Sequence, residues 1–317
     1  MSAPRAALAA GLLWLAAGGL ALAQAQPSEQ PKDQPKDQPS PSPAGEPVSL
    51  RPRYGPGLER EVETRLSIVL SLQLSLPSVG LERTSEQEQV ALRHLREQVV
   101  EAASGEPRRV RRLYLDAWDG ERAPGARSLT RTVSPLSGQK VEVWWDERAR
   151  RRRARSPGDA LPLPRELLAE ERLRERWDVA LPREPVRVGE AWKLGKDELR
   201  EALGPRLAQQ GQLRCRLEAV RREELDPQTP AEDYAVVALE LEAEAEGEGG
   251  AKIRSRLKGQ LRVSLQRRQV TTLELRGTAR LESVREEDGH RLTISGEGPL
   301  ELRKRAWFPR RPPPERR

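Results

Sequence analysis

The sequence predicts an α+β protein with a strongly curved antiparallel sheet, a half-barrel-like meander on which two or three helices pack. Three observations support this fold class. Many segments alternate apolar and polar residues with period two, as half-buried strands do. In the last third of the chain such segments follow one another across short turns, as in an antiparallel meander. One alternating segment, 58–76, is too long to lie in a flat sheet.

The N-terminal residues 1–23 have the pattern of a signal peptide. Arg5 supplies the positive start, 6–22 the apolar stretch and Ala21-Leu22-Ala23 the small-x-small cleavage pattern. We predict cleavage after Ala23 or Ala25, and therefore an extracytoplasmic protein, periplasmic or secreted. The alternative is an uncleaved anchor, but no Lys/Arg cluster follows the apolar stretch. Because no cysteine lies near the cleavage site, we do not expect a lipoprotein.

Composition divides the rest of the chain into three parts. Residues 24–57 are rich in Pro and Gln and predict a disordered linker. Residues 58–308 predict a single domain of the curved-sheet class. Residues 309–317 form a basic, Pro-rich tail. The net charge of +7 is concentrated near the C-terminus, where seven basic residues of 303–317 face one acid, Glu315.

The first half of the domain predicts strands and helices in turn. At ~3.3 Å per residue a strand over 58–76 would span about 60 Å, so it must coil, bulge or break. Ser85 and Glu88 match a capping box, which predicts a helix over 85–105. Short strands are predicted at 109–118, 128–133 and 140–146. Further helices are predicted over 164–181, with Pro164 in the first turn, and over 196–209.

The last third predicts strand registers. We expect strands over 213–219, 237–245, 253–265, 273–281 and 292–302, with a tight turn at Asp288-Gly289 before the last. A turn centred on Gly249 places three acidic residues opposite three basic ones, since apolar residues on both strands must face inward. The predicted pairs are Glu244 with Arg254, Glu242 with Arg256 and Glu240 with Lys258.

A second turn, centred on Arg268, sets Gly259 opposite Gly277 at inward positions. Paired inward glycines permit a sharp bend or leave space for a ligand. The predicted ligand-lining residues are these two glycines and the inward leucines of the same strands, Leu239, Leu241, Leu257, Leu261, Leu273 and Leu275.

No residue pattern indicates catalysis, a metal site or a cofactor. His94 and His290 have no second ligand at helical or strand spacing. Cys215 alternates with Leu213 and Leu217, which favours a buried, inert thiol over a nucleophile. We therefore expect no catalytic residues, no metal and no cofactor.

A short segment carries a family resemblance. Pro185-Val186, Val188-Gly189-Glu190 and Trp192 stand in the order Pro-Val-x-Val-Gly-(Asp/Glu)-x-Trp. In this the chain resembles a group of uncharacterised bacterial exported proteins in which the segment precedes a helix and a closing β-meander. Their sheet is similar to the half-open barrel of the LolA/LolB lipoprotein carriers, so the resemblance implies that layout over roughly 58–302.

The leading functional hypothesis is a non-enzymatic extracytoplasmic protein that binds an apolar or lipid-like ligand on the concave face of its sheet. The alternative is a structural or interaction module of the cell envelope, in which the basic tail contacts an anionic envelope polymer or lipid headgroups. A third hypothesis is a glycan-active enzyme. We expect no nucleic-acid binding, because the basic residues are concentrated in the tail. We also expect a monomer.

Overall fold

The computed structural model of the protein describes residues 45–157, 162–203, 209–224, 231–246, 250–287 and 290–309. These ranges hold twelve strands and two α-helices. The strands are β1 (Glu59–Leu76), β2 (Leu81–Ala103), β3 (Glu106–Arg122), β4 (Thr130–Val133), β5 (Lys140–Asp146), β6 (Arg151–Arg155), β7 (Ala191–Leu194), β8 (Gln210–Glu223), β9 (Glu232–Glu246), β10 (Lys252–Ser264), β11 (Gln269–Glu287) and β12 (His290–Trp307). The helices are α1 (Arg165–Glu170) and α2 (Lys196–Leu203).

All strands belong to one open antiparallel sheet that does not close into a barrel. Its order is β6-β5-β3-β2-β1-β12-β11-β10-β9-β8-β7, with β4 paired to β3. Most strands that follow one another in sequence are neighbours, but β4 and β5 both pair with β3, and β6 and β7 lie at opposite edges of the sheet. Strand β12 returns to pair with β1. This pairing joins the two halves of the chain at the centre of the sheet. The predicted antiparallel meander is confirmed, while the helical content is smaller than predicted.

Strand β1 runs unbroken over 18 residues and confirms the long predicted strand. It keeps one register with β2 along its whole length and one register with β12. Its buried residues are all even-numbered: Arg60, Val62, Leu66, Leu70 and Leu72. No bulge interrupts it, so of the three outcomes expected for so long a strand, bulging and breaking are ruled out.

The predicted helix over 85–105 is wrong, because residues 85–103 lie in strand β2 and residues 104–105 form the turn after it. Between Gln87 and Ala91 five consecutive side chains are buried, so both faces of the strand are covered there and the period-two pattern is hidden. The two-residue turn that ends the strand, Ser104-Gly105, has positive φ at both positions, as a type I′ hairpin requires. Pairing with two long neighbours overrides the local capping motif.

The segment predicted as one helix over 164–181 forms only α1 and a 3-10 turn, Arg176–Ala180. Between them the backbone is extended at Glu171 and Glu175 and bends at residues 173–174. Glu171 and Glu175 make ion pairs with basic side chains of the sheet. These contacts hold the segment against the sheet instead of in a continuous helix. Helix α2 confirms the first part of the helix predicted over 196–209, whose residues 204–208 lie outside the described ranges.

The register predicted for the β9–β10 hairpin is confirmed. Glu244, Glu242 and Glu240 lie opposite Arg254, Arg256 and Lys258. The closest side-chain N–O distances are 3.1 Å, 3.6 Å and 2.7 Å in the same order. The turn residues 247–249, like the predicted turn at 288–289, lie outside the described part of the chain.

Reversing one charge of this hairpin is expected to have a small effect. The side chains of Glu242 and Arg256 are 56% and 81% exposed, so solvent screens their ion pair. We expect Glu242→Arg to lower the free energy of unfolding by less than about 1–2 kcal/mol, and Arg256→Glu in addition to recover part of the loss. Urea unfolding of the two variants measures both values. A double variant less stable than the single one contradicts the pairing.

One face of the sheet, called here the inner face, carries most of the core. It includes the odd-numbered residues of β8 to β11 and the even-numbered residues of β1 and β12, as the pairings require. Trp177, Leu199 and Ala202 pack on it from the 3-10 turn and α2.

Within the described ranges, both α-helices fall short of the length and apolar character that a transmembrane helix requires.

The last part of the predicted linker packs on the domain. Val48 forms an isolated β-bridge with Val186, and Leu50 and Tyr54 are buried. Residues 24–44, like the predicted signal peptide and the tail residues 310–317, lie outside the described ranges.

Candidate ligand site on the inner face of the sheet

All six predicted ligand-lining leucines are buried on the inner face. They belong to one apolar cluster together with Trp177, Leu199 and Ala202. Two of them, Leu241 and Leu257, also line a cleft, which is described below. The remaining four, Leu239, Leu261, Leu273 and Leu275, are not among the side chains that line it.

The predicted pairing of Gly259 with Gly277 is wrong by two residues, because Gly259 lies opposite Leu275 and Gly277 opposite Leu257. The turn is centred between Gln266 and Arg267 instead of on Arg268, because Ser264 pairs with Gln269. The one-residue register shift between Arg262 and Val263 offsets only part of this difference. Both glycines keep the predicted inward parity.

The two glycines leave no space for a ligand. A Cβ atom added to Gly259 would lie 1.7 Å from the carbonyl oxygen of Glu274, and one added to Gly277 would lie 1.9 Å from that of Arg256. Glycine is therefore required at both positions for the close approach of the neighbouring backbone.

Space on the inner face comes from a row of small residues instead. Ala243, Ser255, Ala279 and Gly298 lie side by side on four adjacent strands, β9 to β12. The first three line an apolar cleft with about 860 Å³ of empty space, part of it open to solvent. Its other walls are mainly leucine and isoleucine side chains from β1, β10, β11, β12 and α2, namely Leu66, Ile68, Leu70, Leu203, Ile253, Leu281, Leu300 and Leu302.

A second, polar cleft adjoins the first. Leu66, Leu203 and Leu302 line both clefts. The polar cleft lies between the inner face and the segment 167–177, with about 1270 Å³ of empty space, part of it open to solvent. Six basic residues line it, Arg93, Arg112, Arg172, Arg174, Arg176 and Lys304, with four acidic ones, Glu97, Glu170, Glu171 and Glu175. Together the clefts form an amphipathic cavity system.

A buried ionic network forms one wall of the polar cleft. Glu97 on β2 lies between two arginines: its Oε1 is 2.7 Å from an Arg60 guanidinium nitrogen, and its Oε2 is 2.6 Å from one of Arg112. The strand pairings place these three residues side by side on β1, β2 and β3. Arg112 also contacts Glu171 at 2.5 Å, and the Tyr114 hydroxyl donates to the same carboxylate.

The network continues to Lys304 on β12. Glu175 lies 2.7 Å from Lys304 Nζ and 3.7 Å from Arg60. Burial alone would raise the pKa of Glu175, but the positive charges of Lys304 and Arg60 lower it to about 2. Lys304 belongs to the basic stretch that composition assigned to the C-terminus, yet its side chain is 1% exposed. Its positive charge is therefore paired with Glu175 inside the fold.

Asp178 lies at the end of the network, and its pKa is raised whereas that of Glu175 is lowered. The Tyr54 hydroxyl donates a hydrogen bond to Asp178 Oδ2, while Asp178 Oδ1 has no hydrogen-bond partner among the described residues. Burial, assisted by the negative charge of Glu175, raises the pKa of Asp178 from 3.8 to about 7, although Tyr54 and Arg60 act against it.

The pKa of Asp178 predicts that stability falls as the pH rises. A carboxyl that holds its proton more tightly in the folded state stabilises that state at low pH, and the effect is lost between the unfolded pKa of 3.8 and the folded value of about 7. Relative to Asp178→Asn, the wild-type protein is expected to lose about 2–3 kcal/mol between pH 5 and pH 8. Urea unfolding at both pH values measures this, and an equal pH dependence in the two proteins contradicts the assignment.

Two charged residues at inward strand positions, Arg60 and Lys304, indicate this network in the sequence. Arg60 has the inward parity of Val62 and Leu66, and Lys304 that of Leu302. Charged residues at inward positions of a strand indicate buried pairs.

His94, predicted in a helix, lies on β2, where its ring contacts Glu61 at 2.8 Å. Cys215 is buried as predicted, and burial raises its pKa to about 12.

The fold and cavities together define an open antiparallel-sheet protein with an amphipathic cavity system on its inner face. No known family model matches the chain, and no curated protein matches it. Solved structures with some likeness include the InvG secretin domain β-barrel from the Salmonella SPI-1 injectisome, at 6% identity, a TM-score of 0.15 and 82% coverage of this chain. This chain spans 65% of that one.

Another solved structure with some likeness is the Pseudomonas aeruginosa MucA/MucB complex. The match is 12% identical with a TM-score of 0.09, and covers 75% of this chain and 88% of the other. At these TM-scores neither structure supports an argument about fold or function.

Proposed function

We propose that the protein is a non-enzymatic, extracytoplasmic binding protein whose inner face holds an apolar or lipid-like ligand. The observation that supports this is the apolar cleft over the row of small residues Ala243, Ser255 and Ala279. Sites of this kind are concave and mostly apolar, with a few polar groups at one side. The extracytoplasmic location rests on the signal pattern of residues 1–23.

The form of the cavity system favours an elongated ligand with a polar end. The apolar cleft is lined by side chains from six neighbouring strands, β2, β1, β12, β11, β10 and β9, and is therefore long across the sheet. Leu66, Leu203 and Leu302 form the passage to the polar cleft. An acyl or similar chain in the first cleft gains about 0.8 kcal/mol for each buried methylene group.

The three paired carboxylates of the ionic network favour a structural role over a catalytic one. Each carboxylate of Glu97, Glu171 and Glu175 is held by buried basic side chains. The basic side chains lower the pKa values of Glu97 and Glu175, so these two carboxylates are not matched to proton transfer near neutral pH. The network instead fixes the segment 170–178 over the sheet.

A matched pair of variants tests the cleft. Ser255→Phe fills the cleft from the inner face, whereas Thr278→Phe adds the same side chain to the exposed outer face of the neighbouring strand. The neutral fluorophore N-phenyl-1-naphthylamine is titrated into each protein. We expect saturable binding of one probe to the wild type and to Thr278→Phe, and binding at least about tenfold weaker to Ser255→Phe, a change of about 1.4 kcal/mol.

Thermal unfolding of both variants shows whether they remain folded. Equal probe binding by the wild type and Ser255→Phe, or no saturable binding to the wild type, contradicts the proposed cleft.

A further inference from the structure

Three arginines at the polar cleft, Arg152, Arg172 and Arg176, have no ion-pair partner among the described residues. Arg172 and Arg176 line the cleft, and Arg152 on β6 is near enough to both for their charges to act on it. Arg152 donates to the carbonyl oxygen of Ala169 and Arg176 to that of Glu170. Among the described residues none of the three forms an ion pair, and the buried Nε of Arg172 has no hydrogen-bond partner.

The three positive charges are close enough to act on one another. Burial and the positive charges of Arg172, Arg112 and Arg176 lower the pKa of Arg152, against the opposing effect of Glu171. Like charges gathered in a partly buried cleft repel one another unless an anion lies between them. The positive charge of Arg112 is compensated, because Glu97 and Glu171 both contact it.

The acidic residues of the cleft do not supply that anion. Glu97, Glu171 and Glu175 are already paired, and Glu170 is the remaining carboxylate of the lining. Three unpaired arginines against one carboxylate leave an excess of two positive charges. A phosphate monoester carries about −1.5 to −2 charges at neutral pH and accepts several hydrogen bonds in the geometry that guanidinium groups provide.

We propose that Arg152, Arg172 and Arg176 bind the anionic head group of an amphiphile whose chain lies in the apolar cleft, with a phosphate ester as the favoured head group. This inference rests on the proposed function, since it assigns the polar end of the same ligand. The shared wall at Leu66, Leu203 and Leu302 gives the direction, with the chain on the side of Ser255 and the head group on the side of Arg172.

Displacement of N-phenyl-1-naphthylamine by decyl phosphate and by 1-decanol tests the head-group site, because the two ligands share one chain. For the wild type we expect decyl phosphate to bind at least about tenfold more tightly than decanol. Arg172→Met and, separately, Arg176→Met are expected to remove most of this preference while decanol binding stays unchanged. Arg174→Met is the control, because Arg174 lines the same cleft but already contacts Glu106 at 2.5 Å.

The outcomes separate this inference from the proposed function. Equal affinity of the wild type for both ligands overturns the head-group site and leaves the apolar cleft standing, whereas binding of neither ligand overturns both. Inorganic phosphate is the probe for a free anion. If it competes with decyl phosphate at equal affinity, the site takes a free anion and the assignment to an amphiphile is wrong.

Discussion

Replacing Glu97 by glutamine is expected to lower the free energy of unfolding by about 3–5 kcal/mol. Glu97 is buried between Arg60 and Arg112, with hydrogen bonds from both guanidinium groups. Although burial would raise it, the charges of the two arginines lower the pKa of Glu97, so it is ionised in the fold. A neutral amide leaves the buried positive charges less than fully compensated and places an NH₂ group against donors.

Urea unfolding at pH 7 measures this effect, with Glu101→Gln as the control on the same strand. The side chain of Glu101 is 59% exposed and pairs with Arg109, so its change is expected to cost less than about 0.5 kcal/mol. A loss below about 1 kcal/mol for Glu97→Gln contradicts a network that organises the inner face.

The second large effect is expected for Glu175→Gln, again about 3–5 kcal/mol. Glu175 is the one described carboxylate within ion-pair distance of Lys304, whose side chain is 1% exposed. Without it, Lys304 must remain charged in an apolar environment or lose its proton, and both cost free energy. The effect is fully present above pH 4.5, and it fades as the pH falls towards about 2, where Glu175 itself takes up a proton.

A double-mutant cycle with Lys304→Met tests this pair. Removing both charges together leaves an apolar side chain of similar length, which in buried ion pairs is often neutral or stabilising. We therefore expect Glu175→Gln/Lys304→Met to be more stable than Glu175→Gln alone by at least about 2 kcal/mol. Simple additivity of the two single changes contradicts a direct ion pair.

Much of the sheet could be predicted because burial on one face leaves a period-two pattern. Strands β1 and β8 to β12 carry that pattern, and the opposite charges of Glu242 and Arg256 set one hairpin register correctly. Strand β2 could not be recognised because its residues from Gln87 to Ala91 are buried on both faces. There, a local Ser-x-x-Glu motif favoured a helix that pairing with β1 and β3 prevents.

The candidate site was less predictable than the sheet. The leucines chosen as lining residues do lie on the inner face, but the space lies above Ala243, Ser255 and Ala279. The small inward residues were also predictable from the sequence, since the predicted β9–β10 register places Ala243 opposite Ser255. The ionic network needs contacts between residues far apart in sequence, such as Arg60 with Gln269, and a pattern in one strand does not reveal these.

The central claim is that the inner face of the native protein holds an amphiphile, and native mass spectrometry of the protein purified from the cells that produce it tests this most directly. We expect an adduct of one amphiphile on the wild-type protein that organic extraction releases, and its loss in Ser255→Phe but not in Thr278→Phe. A spectrum with the mass of the unliganded chain alone, unchanged when amphiphile extracted from the same cells is added back, would contradict it.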